Sequence, residues 1–301
     1  MDLRQLEYFL RVAQCRNIST AATELNITQP TLTKSIKLLE QQLGVKLFDR
    51  LPRGVALTPY GATLLRHAEA VHVQVKDARD EITARRNGTF GIVRIGAGPA
   101  WLRRHLPLAL ARAIEKHPDI RIQVDGSFDE TLFRALRQSE LDFVVAEIPA
   151  SEDRQDLVVT SLTADRLGVC CRAGHPLARR RNVKMQDLLQ FPWMKPPRVT
   201  RAQSRLNALF VANDLPAPMG TIESGSLTLL LNVVRQSDAL TYMVSKTLST
   251  REGEGLVMLN VPGLMLSREA GIVTRRGGWL SPAAQHIIDE LKVVCAAEPQ
   301  N

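Results

Sequence analysis

The sequence is poor in the features that mark catalysis, metal binding or membrane insertion, and each shortage removes a class of function. Its most apolar run, LTLLLNVV at 227–234, is far too short to span a bilayer. The opening MDLRQLEYFLRVAQ alternates polar and apolar residues and has no signal-peptide core, so the expected location is cytoplasmic with no membrane partner. Four cysteines occur (Cys15, Cys170, Cys171, Cys295), without a C-x-x-C pair or zinc spacing. Cys170 and Cys171 stand side by side in the strand-like run RLGVCCR, which would send them to opposite faces. Buried structural thiols are the expectation there, and a redox-sensing pair the alternative. Six histidines form no H-E-x-x-H or H-x-x-x-H pair, and neither a G-x-S-x-G elbow nor a P-loop is present. Gly96-x-Gly98 lacks the third glycine of a dinucleotide fingerprint. No catalytic residue, metal site or cofactor is expected, and the chain does not read as an enzyme.

A concentrated basic tail is missing too. The net charge of +8 permits a nucleic-acid partner, but residues 1–58 hold 8 Lys+Arg against 5 Asp+Glu and 59–89 hold 5 against 4. Any contact with nucleic acid must therefore come from individually placed residues. A chain of 301 residues also exceeds what one core usually serves, so two or more domains are expected.

What the first sixty residues do contain is helical periodicity in short pieces. Leu6, Phe9, Leu10 and Ala13 recur at helical spacing, as do Leu32, Ile36, Leu39 and Leu43. Between them Ser19 reads as the N-cap of a short helix that turns Ala21, Ala22 and Leu25 inward. Thr28 reads as the cap of the next helix, with Pro30 in its first turn and Gly44 as its terminator. This is the layout of a helix-turn-helix, in which the second helix presents its N-terminal residues to the major groove. With Leu32 inward, Lys34, Lys37 and Gln41 point outward on the side of Pro30 and Thr31. Gln suits adenine edges, Thr supplies a hydroxyl and a methyl, and Lys reaches guanine or phosphate. VKLFDRLPRGVALTPYG then reads as a hairpin turning at Pro52–Gly54, with Arg50 and Arg53 near its tip for phosphate or the minor groove.

The stretch FLRVAQCRNISTAATELNITQPTLTKSIKLLEQQLGVKLFDRLPRGVALTPYG resembles the winged helix-turn-helix of the LysR-type transcriptional regulators. The shared positions are Ala21-Ala22, Leu25, Gln29-Pro30, Ile36, Leu39-Glu40, Leu43-Gly44, Leu47-Phe48, Arg50, Leu57-Thr58 and Gly61. The resemblance implies that Gln29, Thr31, Thr33 and Lys34 face the groove of double-stranded promoter DNA, with Arg50 and Arg53 at the backbone or wing.

From Pro59, with Thr58 as its cap, a long helix is expected. Leu64, Ala68, Val71, Val75, Ala78 and Ile82 step alternately by four and three, which is a coiled-coil seam. That pattern predicts a dimer through this segment, and a tetramer of two such dimers is the expected assembly. After residue 90, strand-like GIVRIGAG, IRIQVDG and LDFVVAE alternate with amphipathic stretches at 101–116 and 129–139, the rhythm of an open α/β sheet. A second group follows in RLGVCCR, a helix near 201–213, GTIES, a helix from Ser226, and ALTYMVS, before AGIVTRR and a last helix at 281–297.

The expected organisation is an N-terminal all-α winged helix-turn-helix (1–58), a linker helix (59–89) and a C-terminal α/β effector domain (90–301). The resemblance, supported here by HPLA at 175–178 and DLLQFPWM at 187–194, implies a two-lobed, periplasmic-binding-protein-like domain. Lobe I would hold 90–163 and 268–301, and lobe II 164–267. It implies an effector site at Pro99, Ala100, Ser127, Phe128, Glu147, Pro197, Arg198 and Thr200, where Arg198 and Thr200 would hold the carboxylate or sulfonate of a small organic (aromatic) acid. Glu147 departs from the basic residue of some acid-sensing members and needs a cationic partner if an anion is to sit there. The expected function is a DNA-binding transcriptional regulator tuned by a small-molecule effector, with RNA polymerase as a further partner.

Overall fold

The computed structural model describes residues 1–87, 92–197 and 200–297, with side chains described to residue 83 in the first stretch. The chain divides into two compact units, Met1–Arg86 and Asn87–Asn301.

In the first unit α1 (Leu3–Cys15) opens with a capping box in which the Gln5 N–H donates to Asp2 and the Gln5 side chain receives the Asp2 N–H. Helix α2 (Ile18–Glu24) starts earlier than Ser19 would allow. Its cap is Asn17, whose side-chain oxygen accepts from the Ser19 and Thr20 N–H groups at 2.9 and 3.1 Å. Ser19, overtaken by that earlier cap, instead lies within the first turn. Helix α3 (Gln29–Leu43) is capped by Thr28, carries Pro30 in its first turn, and ends on Gly44 at φ 70°. Leu32, Ile36 and Leu39 pack with Phe9, Val12, Ala21 and Leu47 in one core. Leu43 is exposed, because the last turn of α3 runs beyond that cluster, and Glu40 faces inward there instead.

Strands β1 (Phe48–Leu51) and β2 (Gly54–Leu57) form a hairpin in which Leu51 opposes Gly54 across a two-residue loop. Gly54 takes φ 104° and lies so close to the end of α1 that a Cβ would strike the Arg16 carbonyl oxygen. The Val55 N–H donates to that same oxygen at 2.9 Å, which pins the hairpin to the helical core. Thr58 joins the hairpin to α4 (Pro59–Asn87): its hydroxyl donates to the Lys46 carbonyl and accepts the Gly61 N–H.

In the second unit, nine strands among the described residues share one sheet, ordered β4-β3-β5-β11-β6-β9-β7-β8, with β10 attached to β6. The first half contains β3 (Ile92–Ala97), α5 (His105–Lys116), β4 (Arg121–Gly126), α6 (Asp129–Arg137) and β5 (Phe143–Glu147). Here β3 lies parallel to both neighbours, as βαβ crossovers require. Two long antiparallel strands, β6 (Leu157–Arg172) and β11 (Leu266–Arg275), then run from one half into the other. The crossing points inferred at 164 and 268 lie within this paired stretch, where Asp165 opposes Arg268. The second half contains α7 (Met185–Leu188), β7 (Trp193–Lys195), α8 (Arg201–Val211), β8 (Gly220–Glu223), α9 (Leu227–Gln236), β9 (Leu240–Val244) and β10 (Leu256–Met258). Helix α10 (Pro282–Ala296) returns to the first half and packs on α5. The result is an α/β domain of two lobes joined by β6 and β11. The expected 101–116 helix begins instead with a separate 3-10 turn, Trp101–Arg103. Among the described residues no helix is long and apolar enough to cross a membrane.

Candidate functional sites

On α3 the buried stripe of Leu32, Ile36 and Leu39 forces Thr31, Lys34, Lys37 and Gln41 to the exposed side. Gln29 is exposed at the helix start, its side-chain oxygen accepting from the Ser19 hydroxyl at 3.0 Å, and its NH2 group supplies two donors. The Thr31 hydroxyl shares a 2.8 Å hydrogen bond with Thr28. Thr33 is half-buried on the flank of the helix, beside the inward face rather than opposite it. Arg50 projects from β1 opposite Val55, and Arg53 occupies the hairpin loop; both are exposed. Lys34, Lys37, Arg50 and Arg53 make no ion pair among the described residues. Four cations beside exposed amide and hydroxyl groups can meet phosphates and base edges at once.

The residues of the α4 seam divide into two groups. Leu64 and Ala68 pack into the core of the first unit, whereas Val71, Ala78 and Ile82 are exposed and Val75 is half-buried. Val71 and Val75 line a cavity of about 350 Å³ together with Leu3, Leu6 and Leu10 of α1.

In the second unit, Pro99, Ala100, Phe128, Glu147 and Thr200 line one cavity of about 110 Å³ between the lobes. It lies beyond the carboxyl ends of β3 and β5, where open α/β sheets bind ligands. Most of its remaining wall is apolar, from Leu167, Leu227, Leu230 and Met243. Ser127 and Pro197 line an adjoining mouth of about 490 Å³, which Phe128 and Thr200 share. Arg198 lies outside the described residues. Thr200 caps α8, its hydroxyl accepting the Gln203 N–H at 3.2 Å.

Glu147 has the cationic partners its burial demands. Arg205 reaches one carboxylate oxygen at 2.7 Å and Arg268 the other at 3.4 Å. Arg201, on the same helix as Arg205, pairs with Asp153 at 3.0 Å and stacks over the Phe133 ring. Asp129, at the start of α6, has its carboxyl pushed up to about 6, first by desolvation and then by the nearby Glu147 charge, against the pull of Arg268 and Arg201. Asp129, Tyr242 and Arg268 all line the cavity, yet none was singled out from sequence. Asp129 could have been found as the acidic N-terminal residue of the helix after IRIQVDG, but Arg268 carries no local signal.

Cys170 and Cys171 are both free and fully buried on opposite faces of β6, one against Met194 and Leu230, the other against Leu177 and Trp193. Desolvation pushes both thiols up, Cys171 to about 11, so neither is a thiolate at neutral pH. This environment weighs against the redox-sensing alternative.

The family model described as the bacterial regulatory helix-turn-helix protein of the lysR family matches residues 3–62, and the LysR substrate binding domain matches 86–296. The SDS degradation transcriptional activation protein of a Pseudomonas species is 34% identical over 292 residues, covering 94% of this chain and 93% of that one. The HTH-type transcriptional regulator GbpR of Azospirillum brasilense is 32% identical over 242 residues, covering 80% and 71%. In fold, the chain superposes on a full-length OxyR variant from Pseudomonas aeruginosa with TM-score 0.61 at 22% identity, covering 97% and 98%. It superposes on CbnR, a LysR family regulator, with TM-score 0.60 at 18% identity, covering 98% and 99%. An outward-facing α3 beside a basic hairpin, followed by a two-lobed sheet with a cleft, thus coincides with both family matches, and the chain belongs to the LysR family of DNA-binding transcriptional regulators, with an N-terminal helix-turn-helix and a C-terminal substrate-binding domain.

Proposed function

We propose that this regulator reads promoter DNA through Gln29, Thr31, Thr33 and Lys34 of α3, anchors on phosphate through Arg50 and Arg53, and is modulated by a small organic acid held between the lobes. The reading rests on one observation above the others: α3 buries a single apolar stripe and exposes Thr31, Lys34 and Lys37 opposite it, beside a hairpin with unpaired arginines. A dimer through the exposed half of α4, paired into a tetramer, presents several such helices to successive half-sites. RNA polymerase is the partner that converts binding into regulation, and the cytoplasm is where this takes place.

The cleft supports an acid with an apolar body because its walls are largely apolar while Arg205 and Arg268 neutralise Glu147. For the effector to act, it must bind one arrangement of the assembly more tightly than another.

The test is selection of duplexes from a randomised pool by the full-length protein, followed by salt titration of the enriched sequence. Gln29→Ala and Thr31→Ala are expected to relax the enriched sequence. Arg53→Ala is expected to weaken binding to every duplex and to lower the salt slope by about one counterion. No enrichment would end the sequence-reading claim, and an unaltered salt slope for Arg53→Ala would remove the hairpin from the contact.

A further inference from the structure

We propose that the floor of the cleft, where β6 and β11 cross between the lobes, is a carboxylate-binding subsite formed by Arg103, Arg268 and Lys246. Its ligand is a monocarboxylic acid whose apolar body fills the cavity in front of it. This rests on the reading of the cleft as the effector site and assigns the acid group to a different end of it from Arg198 and Thr200.

A second, smaller cavity of about 20 Å³ adjoins the cleft and shares Ala100, Trp101, Thr247 and Arg268 with it as a common wall. Four cations line the smaller one: Arg103 from the 3-10 turn after β3, Arg104 beside it, Lys246 from the turn after β9, and Arg268 from β11. Asp165 is the carboxylate in that lining, and its Oδ1 already accepts from the Arg166 N–H and the Ser245 hydroxyl. Two further acids act from outside it, Glu252 on Arg103 and Glu147 on Arg268. Positive charge still predominates at the floor.

Two of the guanidinium groups are also under-used. Arg103 donates one terminal N–H to the Pro99 carbonyl, and Arg268 contacts Glu147 at a long 3.4 Å. The Nε–H of each is buried with no acceptor. Buried donors without partners are uncommon and costly, and a carboxylate offers two oxygens with about four acceptor positions. Lys246 donates to the Thr163 hydroxyl and adds its charge to the same space. Burial already depresses the Arg103 pKa, the direction expected where a cation lacks full compensation.

The mouth is less favourable. Two carboxyls, Asp129 and Glu130, line it beside Arg134 and Arg201, and Arg201 is already engaged by Asp153. Among the described residues, cations and carboxyls are thus matched in number there, whereas the floor holds two buried guanidinium N–H groups without acceptors.

Size selects the head group and the body. At roughly 10–15 Å³ per water-sized group, the floor admits at most about two such groups, which suits the oxygens of a carboxylate better than the three or four of a sulfate or phosphate. By the same measure the apolar cavity takes about seven to eleven non-hydrogen atoms, the size of hexanoate or benzoate.

The experiment is isothermal titration of the full-length protein with hexanoate, hexan-1-ol and acetate, which separate head group from body. Hexanoate is expected to bind at least about tenfold more tightly than either of the others. Arg103→Gln is expected to weaken hexanoate about tenfold while leaving hexanol within twofold, so that the preference for the acid collapses. Lys246→Gln gives the same loss in smaller measure and serves where Arg103→Gln does not fold. An acid preference unchanged in both variants overturns the subsite, and if Thr200→Ala lowers that preference the acid group sits at the mouth. Wild-type protein that binds none of the three probes also overturns the subsite. The broader effector reading fails separately, only if no acid in a wider panel alters the affinity for the selected duplex.

Discussion

Glu40 lies buried near the end of α3, with one carboxylate oxygen on the N–H groups of Leu47 and Phe48 and the other 3.1 Å from the Lys46 ammonium. It ties the recognition helix to the first strand of the hairpin, and so sets the position of Arg50 and Arg53 relative to Lys34. Glu40→Ala strands a buried N–H at Leu47, and the expected loss is about 1.5–3 kcal/mol, the range for hydrogen bonds to a charged group. Lys46 is largely exposed, so Lys46→Ala is expected to cost under about 1 kcal/mol. Urea denaturation of the two variants checks this. Equal losses would mean that the ion pair, not the backbone bonds, holds the joint. At this scale the sequence was partly legible. Glu147 could be recognised as a charge needing a partner, but Arg268 is 121 positions away and only the pairing of the long strands brings it close. Asn17 and Ser19 both suit a helix cap, and nothing local to NIST decides between them. The earlier residue caps because the helix starts two residues sooner than a Ser19 cap implies.

Elements were legible where their period is local and long. The α3 stripe and the alternating steps of α4 depend only on neighbours three or four residues apart. The strands of the second unit were found in outline, but β6 begins nine residues before RLGVCCR, and β11 begins at Leu266. Much of their extra length is exposed or half-buried and is held by pairing with each other, so it shows no apolar run. Strands β7 and β10 have three residues each and exist through their neighbours in the sheet. Helix α4 carries the prediction that belongs here. Val71 and Ile82 are exposed, at 38% and 65%, on a face that repeats every three or four residues. Neither Val71 nor Ile82 belongs to the buried core of the unit, although Val71 lies beside α1, so Val71→Asp with Ile82→Asp is expected to change the thermal stability of the monomeric fold by under about 1 kcal/mol in total. The dimer is expected to dissociate, as seen by light scattering at micromolar protein. A persistent dimer would move the interface away from this face.

At the scale of the whole effector domain, charges from both lobes converge on the cleft, and their summed effect is a pH dependence. Asp129 begins α6 in lobe I, Arg201 belongs to α8 in lobe II, and Arg268 sits where the lobes join. The Asp129 carboxyl titrates near 6 in the folded protein, above the roughly 3.9 of an unfolded chain. Between those values the folded state holds a proton that the unfolded state has released. Stability from this group is therefore full below about pH 4 and is lost as pH rises through 6. The shift corresponds to about 1–3 kcal/mol once the partial exposure of the side chain is allowed for. Asp129→Asn removes the titration while keeping an acceptor oxygen. It is expected to be more stable than wild type at pH 7.5, with the advantage shrinking steadily as pH falls to 4. All three tryptophans, Trp101, Trp193 and Trp279, lie in the second unit, so urea unfolding followed by their fluorescence reports on this domain and not on the DNA-binding unit. A gap between variant and wild type that stays constant from pH 4 to 7.5 would show that Asp129 does not change charge in this window. A gap that narrows as described makes Asp129 a proton-linked element of the cleft. An anionic effector would then raise the Asp129 pKa further and bind more tightly as pH falls toward 6.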